Sequence, residues 1–181
     1  MIITISGFPG SGKSTIGKII AEKLGYRYFS MGDLRGEIAR RHNLTIDELN
    51  KIGETEDWTD KEIDTYQKNL GAAEDNLIVE GRLSFYFIPQ SFKIFLNVEI
   101  NESARRALEN RQERTDEKLP DNIEETAAQL SQRLESDKKR YQKYYGVSYD
   151  DPHNFDLFLD TTRLSISQVV DIILDKIKAL R

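Results

Sequence analysis

The chain has 181 residues, which suits one ordinary domain, and 38% of them are hydrophobic, which is enough to bury a core. Because the chain contains no cysteine, disulfides, cysteine-ligated zinc and thiol nucleophiles are excluded. The net charge of −5 argues against binding to nucleic-acid polymers, although a few well-placed cationic side chains could still hold a small phosphorylated ligand.

No apolar run approaches the roughly 20 residues of a membrane-spanning helix, and the N-terminus lacks the basic segment of a secretory signal. We therefore expect a soluble, cytoplasmic protein without a membrane partner. Nothing in the sequence demands more than a monomer.

The predicted elements begin with a short strand, a glycine-rich turn and a helix. Residues 2–6 form an apolar, β-branched run that is typical of a strand buried on both faces. Isoleucine and leucine then recur at helical spacing from residue 13 to residue 24, and Gly25 marks the end of that helix.

Strands and helices continue to alternate along the rest of the chain. Runs rich in β-branched and aromatic residues predict strands at 26–30, 76–80, 91–98 and 155–159. Helical patterns cover 34–41, 46–52, 61–70, 101–111, 123–145 and 165–180, with Thr45 and Thr59 as candidate N-caps. This alternation predicts an α/β fold in which a five-stranded parallel sheet is flanked by helices.

We interpret residues 1–181 as one domain with two helical additions to its sheet. The core would comprise residues 1–30, 76–111 and 146–181. Residues 31–75 contain no convincing strand and carry 12 acidic against six basic residues, so they resemble a helical insertion. Residues 112–145 would form a lid.

The turn after the first strand carries the strongest functional signal. Residues 7–14 fit the pattern G-x-x-x-x-G-K-[ST] and stand between a predicted strand and a predicted helix, as a phosphate-binding loop requires. Backbone N–H groups of such a loop, together with the positive end of the helix, surround phosphate oxygens. We predict a nucleoside triphosphate site formed by Gly7, Phe8, Pro9, Gly10, Ser11, Gly12, Lys13, Ser14 and Thr15, here called the glycine loop.

Two residues of the glycine loop have specific roles in this prediction. Lys13 would reach the β- and γ-phosphates as a point charge, and the hydroxyl of Ser14 would bind Mg²⁺. A simple glycine turn before a helix is the alternative, but here both the pattern and its context fit a phosphate site.

A second group of charges is expected at the same edge of the sheet. The strand at 76–80 ends in Glu80, Gly81 and Arg82, and ligands of open α/β sheets collect beyond the carboxyl ends of the strands. Glu80 could hold the hydration shell of Mg²⁺, and Arg82 could bind a second phosphate. A solvated charge pair at a strand end is the alternative.

The long helix predicted at 123–145 carries a third group of charges. Arg133, Asp137 and Arg140 are spaced at i, i+4 and i+7, so they share one helix face. The spacing alone favours an ordinary surface helix with ion pairs. Four more arginines border the polar segment 112–122, namely Arg105, Arg106, Arg111 and Arg114. That segment would be either a lid that closes guanidinium groups over phosphates or a solvated helical hairpin.

Together these pieces resemble the nucleoside monophosphate kinases, and among them the archaeal-type cytidylate kinase family. The resemblance covers nearly the whole chain. It rests on GFPGSGKST at 7–15, SMGD at 30–33, VEGR at 79–82, RLESDKKRY at 133–141 and FDLFLDTT at 155–162. The glycine loop alone marks a superfamily, whereas the ordered set of segments is specific to monophosphate kinases.

The resemblance implies a P-loop NTPase fold, ATP in the glycine loop, an acceptor-binding insertion at 31–75 and lid arginines that stabilise the transferring phosphoryl group. By motif, Arg82 would contact the acceptor phosphate, Arg133 and Asp137 the acceptor sugar, and Arg140 the phosphates. The implied catalytic residues are Lys13, Arg111, Arg133 and Arg140. The implied acceptor-binding residues are Ser30, Asp33, Arg35, Arg82, Arg133, Asp137 and Arg140, and the implied Mg²⁺-binding residues are Ser14 and Glu80.

The chain departs from the family pattern at two positions. An arginine usually stands four residues after the glycine of the SxGD-like segment, but this chain has Gly36 there, so Arg35, Arg40 or Arg41 would take its place. Bacterial members follow EGR with an aspartate that reads the base, whereas this chain has Leu83. Cytosine specificity must therefore come from elsewhere or be relaxed.

The resemblance predicts a Mg²⁺-dependent kinase that transfers the γ-phosphoryl group of ATP to a nucleoside monophosphate, CMP or dCMP. One alternative is a kinase for AMP, UMP or another small metabolite. Another is a regulatory module that binds a nucleotide without turnover, which would leave four charged residues unexplained: Arg82, Arg133, Asp137 and Arg140.

Overall fold

A computed structural model of the chain describes residues 1–110 and 119–180. Five parallel strands form one sheet in the order β2-β3-β1-β4-β5. The strands are β1 (Ile2–Gly7), β2 (Arg27–Ser30), β3 (Leu77–Glu80), β4 (Phe92–Asn97) and β5 (Leu157–Asp160). The predicted five-stranded parallel sheet is confirmed, and each strand begins and ends within two residues of its predicted bounds.

The described residues contain eight α-helices. They are α1 (Lys13–Leu24), α2 (Met31–Arg41), α3 (Ile46–Gly53), α4 (Trp58–Ala73), α5 (Ser84–Phe87), α6 (Ile100–Glu109), α7 (Ile123–Tyr145) and α8 (Ile166–Lys178). Sequence patterns predicted seven of them and missed α5, because four residues are too few to show a helical period. None of the helices in the two described ranges is long and apolar enough to cross a membrane.

The two predicted N-caps in the insertion have different outcomes. Thr45 caps α3 as predicted, because its hydroxyl accepts from the backbone N–H of Glu48 at 3.2 Å while the Glu48 carboxylate accepts from the N–H of Thr45 at 2.8 Å. The prediction that Thr59 caps α4 is wrong. That helix begins at Trp58, and Thr59 is buried inside it.

Apolar side chains cover both faces of the sheet. On one face, Ile3 and Ile5 of β1 pack with side chains of α1 and α8. On the other face, Ile2 and Leu77 pack with side chains of α2, α3 and α4, the three helices of the insertion. The first strand is therefore buried on both sides, as its continuous apolar run predicted.

The strand order places two functional loops side by side. In the register of the sheet, Ile5 of β1 is opposite Glu80 of β3, and Ser30 of β2 is opposite the same glutamate. The glycine loop and the Gly81–Arg82 turn therefore leave the sheet at the same edge. Helix α7 contacts both α3 and α6, so it closes the space beyond this edge from the side.

Candidate active site

The glycine loop is held in its shape by hydrogen bonds between its backbone and neighbouring residues. Phe8 donates its N–H to the carbonyl oxygen of Leu96 in β4 at 3.2 Å, and Ser103 of α6 donates its hydroxyl to the carbonyl of Pro9 at 2.6 Å. Gly10 has φ +69°, and a Cβ atom there would lie 2.7 Å from the backbone oxygen of Ser103. Glycine is required at this position by both its dihedral angle and the close approach of α6.

The loop leaves positive groups available for an anion. Helix α1 begins at Lys13, and its N-cap residue Gly12 has no side chain to cap it, so the first N–H groups of the helix face the loop. The hydroxyl of Ser11 is buried and has no hydrogen-bond partner among the described residues. Lys13 donates to the carbonyl of Phe8 at 2.7 Å, which places its ammonium group over the loop. These features fit a chain of phosphate groups.

Oxygen groups that suit Mg²⁺ lie next to the loop. The hydroxyl of Tyr28 donates to the carboxylate of Glu80, and the side chain of Ser14 hydrogen-bonds the same hydroxyl. Burial raises the pKa of Tyr28, and the charge and hydrogen bond of Glu80 raise it further, so this phenol stays protonated. Tyr28 thus links the two residues predicted to bind Mg²⁺, and their hydroxyl and carboxylate oxygens fit that ion.

A cavity of about 90 Å³ opens beside the glycine loop, between the sheet edge and helices α2, α4 and α7. Its walls include the loop lysine and four of the predicted arginines. We call it the arginine cleft, after Arg35, Arg82, Arg133 and Arg140, which line it together with Lys13, Glu80 and Asp137. The structure therefore brings donor-side and acceptor-side candidates to one place.

Two carboxylates tie three arginines of the cleft together. Asp137 of α7 accepts from Nε of Arg82 and, at 2.8 Å, from Nη2 of Arg140. Asp60 of α4 accepts from Nη1 of Arg35 at 2.7 Å and lies 3.1 Å from Nε of Arg140. Each carboxylate is shared by two guanidinium groups, so the alternating charges connect the end of β3 with α7, α4 and α2.

This pairing sets the protonation of the cleft. Burial alone would raise the pKa of Asp137, but the charges of Arg82, Arg140 and Arg133 outweigh burial and lower that pKa to about 2. Burial alone would lower the pKa of Arg82, and the charge of Asp137 more than reverses this. Burial does lower the pKa of Arg35, against the charge of Asp60. Asp137 is therefore an anion across the physiological pH range.

Some guanidinium N–H groups of this network have no hydrogen-bond partner among the described residues. Nη1 of Arg140 and Nη2 of Arg35 are buried, and neither has a hydrogen-bond partner in the part of the chain that the structure describes. Buried donors without a partner are rare in folded proteins and cost about 1–3 kcal/mol each. Two such donors on neighbouring guanidinium groups match the oxygens of a bound phosphate.

The interpretation of α7 as an ordinary surface helix is wrong. The side chains of Asp137 and Arg140 are 3% and 1% exposed, and Arg133 lines the same cleft. The spacing of these residues identified a shared face but could not show that this face is buried.

Arg106, which borders the predicted lid segment, binds backbone carbonyl groups in this structure. Its Nη2 donates to the carbonyl of Thr161 at 2.8 Å, and its Nη1 donates to that of Gly10 at 3.5 Å. Arg106 therefore fastens the segment after β5 to the glycine loop. Arg105 pairs on the surface with Glu102 and Glu109 of its own helix. Arg111 and Arg114 lie outside the described residues.

Two predicted acceptor residues lie beside the arginine cleft rather than in its wall. Ser30 caps α2, since its hydroxyl accepts from the N–H of Asp33 at 3.1 Å, and this cap explains why the helix begins at Met31, three residues earlier than predicted. Neither Ser30 nor Asp33 lines the cavity, whereas Met31 and Gly32 between them do.

Three arginines were candidates for the position where this chain has Gly36. Arg35 lines the cleft and donates to Asn50 and Asp60. Arg41 pairs with Glu62 on the surface, and Arg40 is exposed. The geometry favours Arg35 as the residue that replaces the family arginine. The roles of the other predicted site residues stay predictions.

Sequence reasoning missed several residues of the cleft, because they lie outside the family segments. Helix α4 contributes Asp60, Asp64 and Gln67, which alternate with the buried Ile63 and Leu70 on one face. Polar residues on the apolar face of an amphipathic helix are the signal that could have found them.

Comparison with known proteins agrees with this geometry. The sequence model of the cytidylate kinase-like family matches residues 2–163. A cytidylate kinase of Halobacterium salinarum is 33% identical over 181 residues, which cover 99% of this chain and 90% of that protein. An S-adenosylmethionine-dependent nucleotide dehydratase of Lacinutrix mariniflava is 34% identical over 175 residues, which cover 96% of this chain but only 35% of that protein.

Among solved structures, the shikimate kinase of Bacteroides thetaiotaomicron matches with a TM-score of 0.65 over 98% of both chains. At 18% sequence identity this likeness shows the fold alone, which is that of the P-loop kinases. The family match extends over all five strands, the glycine loop and the arginine cleft. The chain belongs to the cytidylate kinase-like family.

Proposed function

We propose that the protein is a nucleoside monophosphate kinase that transfers the γ-phosphoryl group of ATP to CMP or dCMP and yields ADP with CDP or dCDP. The observation that carries this proposal is that Lys13 of the glycine loop lines the same cleft as Arg82, Arg133 and Arg140. A donor phosphate on the loop and an acceptor phosphate on the arginines would meet there. Membership of the cytidylate kinase-like family supports a cytidine nucleotide as the acceptor.

The transfer would depend on positioning and charge rather than on a general base. The acceptor phosphate is already anionic at neutral pH, so no side chain needs to remove a proton from it. Lys13 on the donor side and the unpaired Nη groups of Arg35 and Arg140 on the acceptor side would neutralise the charge that spreads in the transition state. Bound through Ser14 and Glu80, Mg²⁺ would supply further positive charge at the β- and γ-phosphates.

The carboxylates would keep this machinery in place. Asp60 and Asp137 hold their arginines by Nε, Nη1 or Nη2 while leaving Arg140 Nη1 and Arg35 Nη2 uncommitted. A phosphate could therefore bind without breaking any of the carboxylate contacts. Such preorganisation lowers the reorganisation that transition-state stabilisation would otherwise require.

A panel of acceptors tests the proposal. The full chain would be supplied with ATP, Mg²⁺ and one acceptor at a time: CMP, dCMP, UMP, AMP or shikimate. We expect formation of ADP together with CDP or dCDP, and no ADP when EDTA removes the divalent ion. ATP hydrolysis without transfer to any nucleoside monophosphate would contradict the proposal and favour a regulatory module.

A further inference from the structure

Helix α4 presents three polar side chains to the arginine cleft, of which the proposed transfer uses only Asp60. Asp60, Asp64 and Gln67 follow one another at spacings of four and three residues, so they share the face that lines the cleft. At a rise of 1.5 Å per residue, Gln67 lies about 10 Å along the helix from Asp60. Asp60 lies in the part of the cleft wall that contacts the arginines. Asp64 and Gln67 line the cleft farther along α4.

The amide of Gln67 is oriented by a second residue. Its side chain is 2% exposed, and the hydroxyl of Ser84 donates to its Oε1 at 2.6 Å. This contact commits the oxygen of the amide and leaves Nε2 as a hydrogen-bond donor. In the described part of the chain no group accepts from that nitrogen.

The carboxylate of Asp64 is oriented in a similar way. The hydroxyl of Tyr145 donates to its Oδ2 at 2.5 Å, which leaves Oδ1 as an acceptor one turn of α4 before the Gln67 amide. Burial raises the pKa of Asp64 to about 6, although the Tyr145 hydrogen bond opposes the shift. Asp64 is therefore largely ionised above neutral pH.

Apolar side chains flank this pair. Met31, Ile63, Leu83 and Tyr141 are buried and line the same cavity. A ligand pocket with apolar walls and a few convergent polar groups suits a flat heteroaromatic ring. The pocket offers such a ring one oriented donor and one oriented acceptor, side by side.

We propose that Asp64 and Gln67 read the Watson–Crick edge of the acceptor base and select cytosine over uracil. This inference rests on the proposed function. Cytosine presents an acceptor, N3, beside a donor, the N4 amino group, so Gln67 Nε2 would donate to N3 and Asp64 Oδ1 would accept from N4. These two residues supply the base contact that Leu83 cannot make.

Uracil presents the opposite pattern. Its N3–H would face the donor Gln67 Nε2, and its O4 would face the carboxylate of Asp64, so both groups would be buried without partners. Adenine has the same order of acceptor and donor at N1 and N6 as cytosine. The edge contacts therefore exclude uracil, while ring size has to separate CMP from AMP.

The substitution Asp64→Asn tests the inference, because an asparagine amide can turn its NH₂ toward O4 of uracil and still accept from Tyr145. We expect the wild-type ratio of kcat/KM for CMP over UMP to fall at least about tenfold in this variant, the size of effect expected when one buried polar mismatch is relieved. Glu62→Gln is the matched control. It makes the same change on the exposed side of α4, where Glu62 pairs with Arg41, and should leave the ratio unchanged.

The outcomes separate this inference from the proposed function. If the wild-type protein phosphorylates no nucleoside monophosphate, the proposed function fails. If it phosphorylates CMP but Asp64→Asn keeps the CMP/UMP ratio within twofold, or if the wild-type protein prefers UMP, only the assignment of Asp64 and Gln67 is overturned. Direct binding of CMP and UMP without ATP, measured by calorimetry, should show the same change in ratio.

A pH series provides a measurement that would not change if the role of Asp64 were purely structural. The wild-type CMP/UMP ratio should fall as the pH drops through about 6, because protonated Asp64 can donate to O4 of uracil. Comparing the two substrates cancels the titration of the acceptor phosphate that they share. The groups that face Asp64 are Asp60 and Lys68 of α4, Arg35 of α2 and Tyr145 of α7. In Asp64→Asn the ratio should not change with pH, and a wild-type slope retained in that variant would overturn the inference.

Discussion

The glycine loop and the arginine cleft are both proposed to bind phosphate, but they are built in different ways. The loop is one continuous segment whose backbone is shaped by Gly10 and fixed by contacts with Leu96 and Ser103. The cleft is assembled from side chains of α2, α4, α7 and the end of β3, held in place by shared carboxylates. A phosphate can thus be bound either by the backbone of a loop or by buried arginines that are held in place by shared carboxylates.

The difference determines which changes each region tolerates. Most groups of the loop that face a ligand are backbone N–H groups, which substitution of a side chain does not remove. The cleft depends on charges that are buried and mutually compensated, so removal of one member leaves the others unpaired. We therefore expect removal of a charged side chain from the loop to lower activity, and removal of a charged side chain from the cleft to lower both activity and stability.

The largest expected effect is the loss of turnover in Lys13→Ala. Removing this cation should lower kcat by about 10³-fold or more, because transition-state charge on a transferring phosphoryl group is stabilised by few groups. The free energy of unfolding should change little, since the side chain of Lys13 is only partly buried. A coupled ADP assay and urea unfolding measure the two quantities. Lys23→Ala, at the other end of α1, is the control, and activity of Lys13→Ala within tenfold of wild type would contradict its role.

The matching test of the cleft is Asp137→Asn. This variant leaves the buried guanidinium groups of Arg82 and Arg140 without their shared anion, so we expect the free energy of unfolding to fall by about 3–5 kcal/mol. Urea unfolding followed by circular dichroism measures the change. Glu109→Gln, which breaks the exposed pair with Arg105, should cost less than about 1 kcal/mol. Equal effects of the two substitutions would show that the cleft is not held by its buried charges.

The same contrast explains what the sequence could predict. The sheet and the loop were predictable because strands buried on both faces give continuous apolar runs, and because the loop motif is contiguous. The cleft was only partly predictable, since Arg82 and Asp137 are 55 residues apart and Arg35 and Asp60 are 25 apart. Residue spacing places side chains on one helix face, but only packing decides whether that face meets water or other charges.

Element bounds show the same limit on a smaller scale. The last strand begins at Leu157, two residues later than predicted, because the carboxylate of Asp156 accepts from the N–H of Lys93 and a 3₁₀ turn at Pro152–Asn154 precedes it. These contacts join segments that are distant in sequence, so no local pattern reveals them. Local caps such as that of Thr45 were predictable because both partners lie within one turn.

A glycine comparison isolates the geometric part of the loop. Gly10 and Gly25 have nearly the same dihedral angle, φ +69° and φ +66°, but a Cβ atom on Gly10 would meet the Ser103 backbone whereas a Cβ atom on Gly25 meets nothing within 4 Å. Gly25→Ala should therefore cost about 1–2 kcal/mol for the left-handed backbone alone. Gly10→Ala should cost more and should also raise the KM for ATP, as measured by unfolding and by kinetics. Equal unfolding free energies for the two variants would show that the contact with α6 does not constrain the loop.

The smallest expected effect is that the stability contributed by Asp137 is lost as the pH becomes acidic. The pKa of Asp137 is lowered to about 2 in the folded protein, from an ordinary value of 3.8. A depressed pKa stabilises the folded state above the ordinary value, and that contribution is lost as the pH falls toward the folded-state value, because the unfolded chain binds the proton first. The difference in unfolding free energy between wild type and Asp137→Asn should therefore shrink by about 1 kcal/mol between pH 5 and pH 3. Taking the difference at each pH removes the other carboxylates that titrate in this range. A difference that stays constant would mean that Asp137 is not held as an anion by its arginines, and that the cleft, like the glycine loop, is maintained by shape alone.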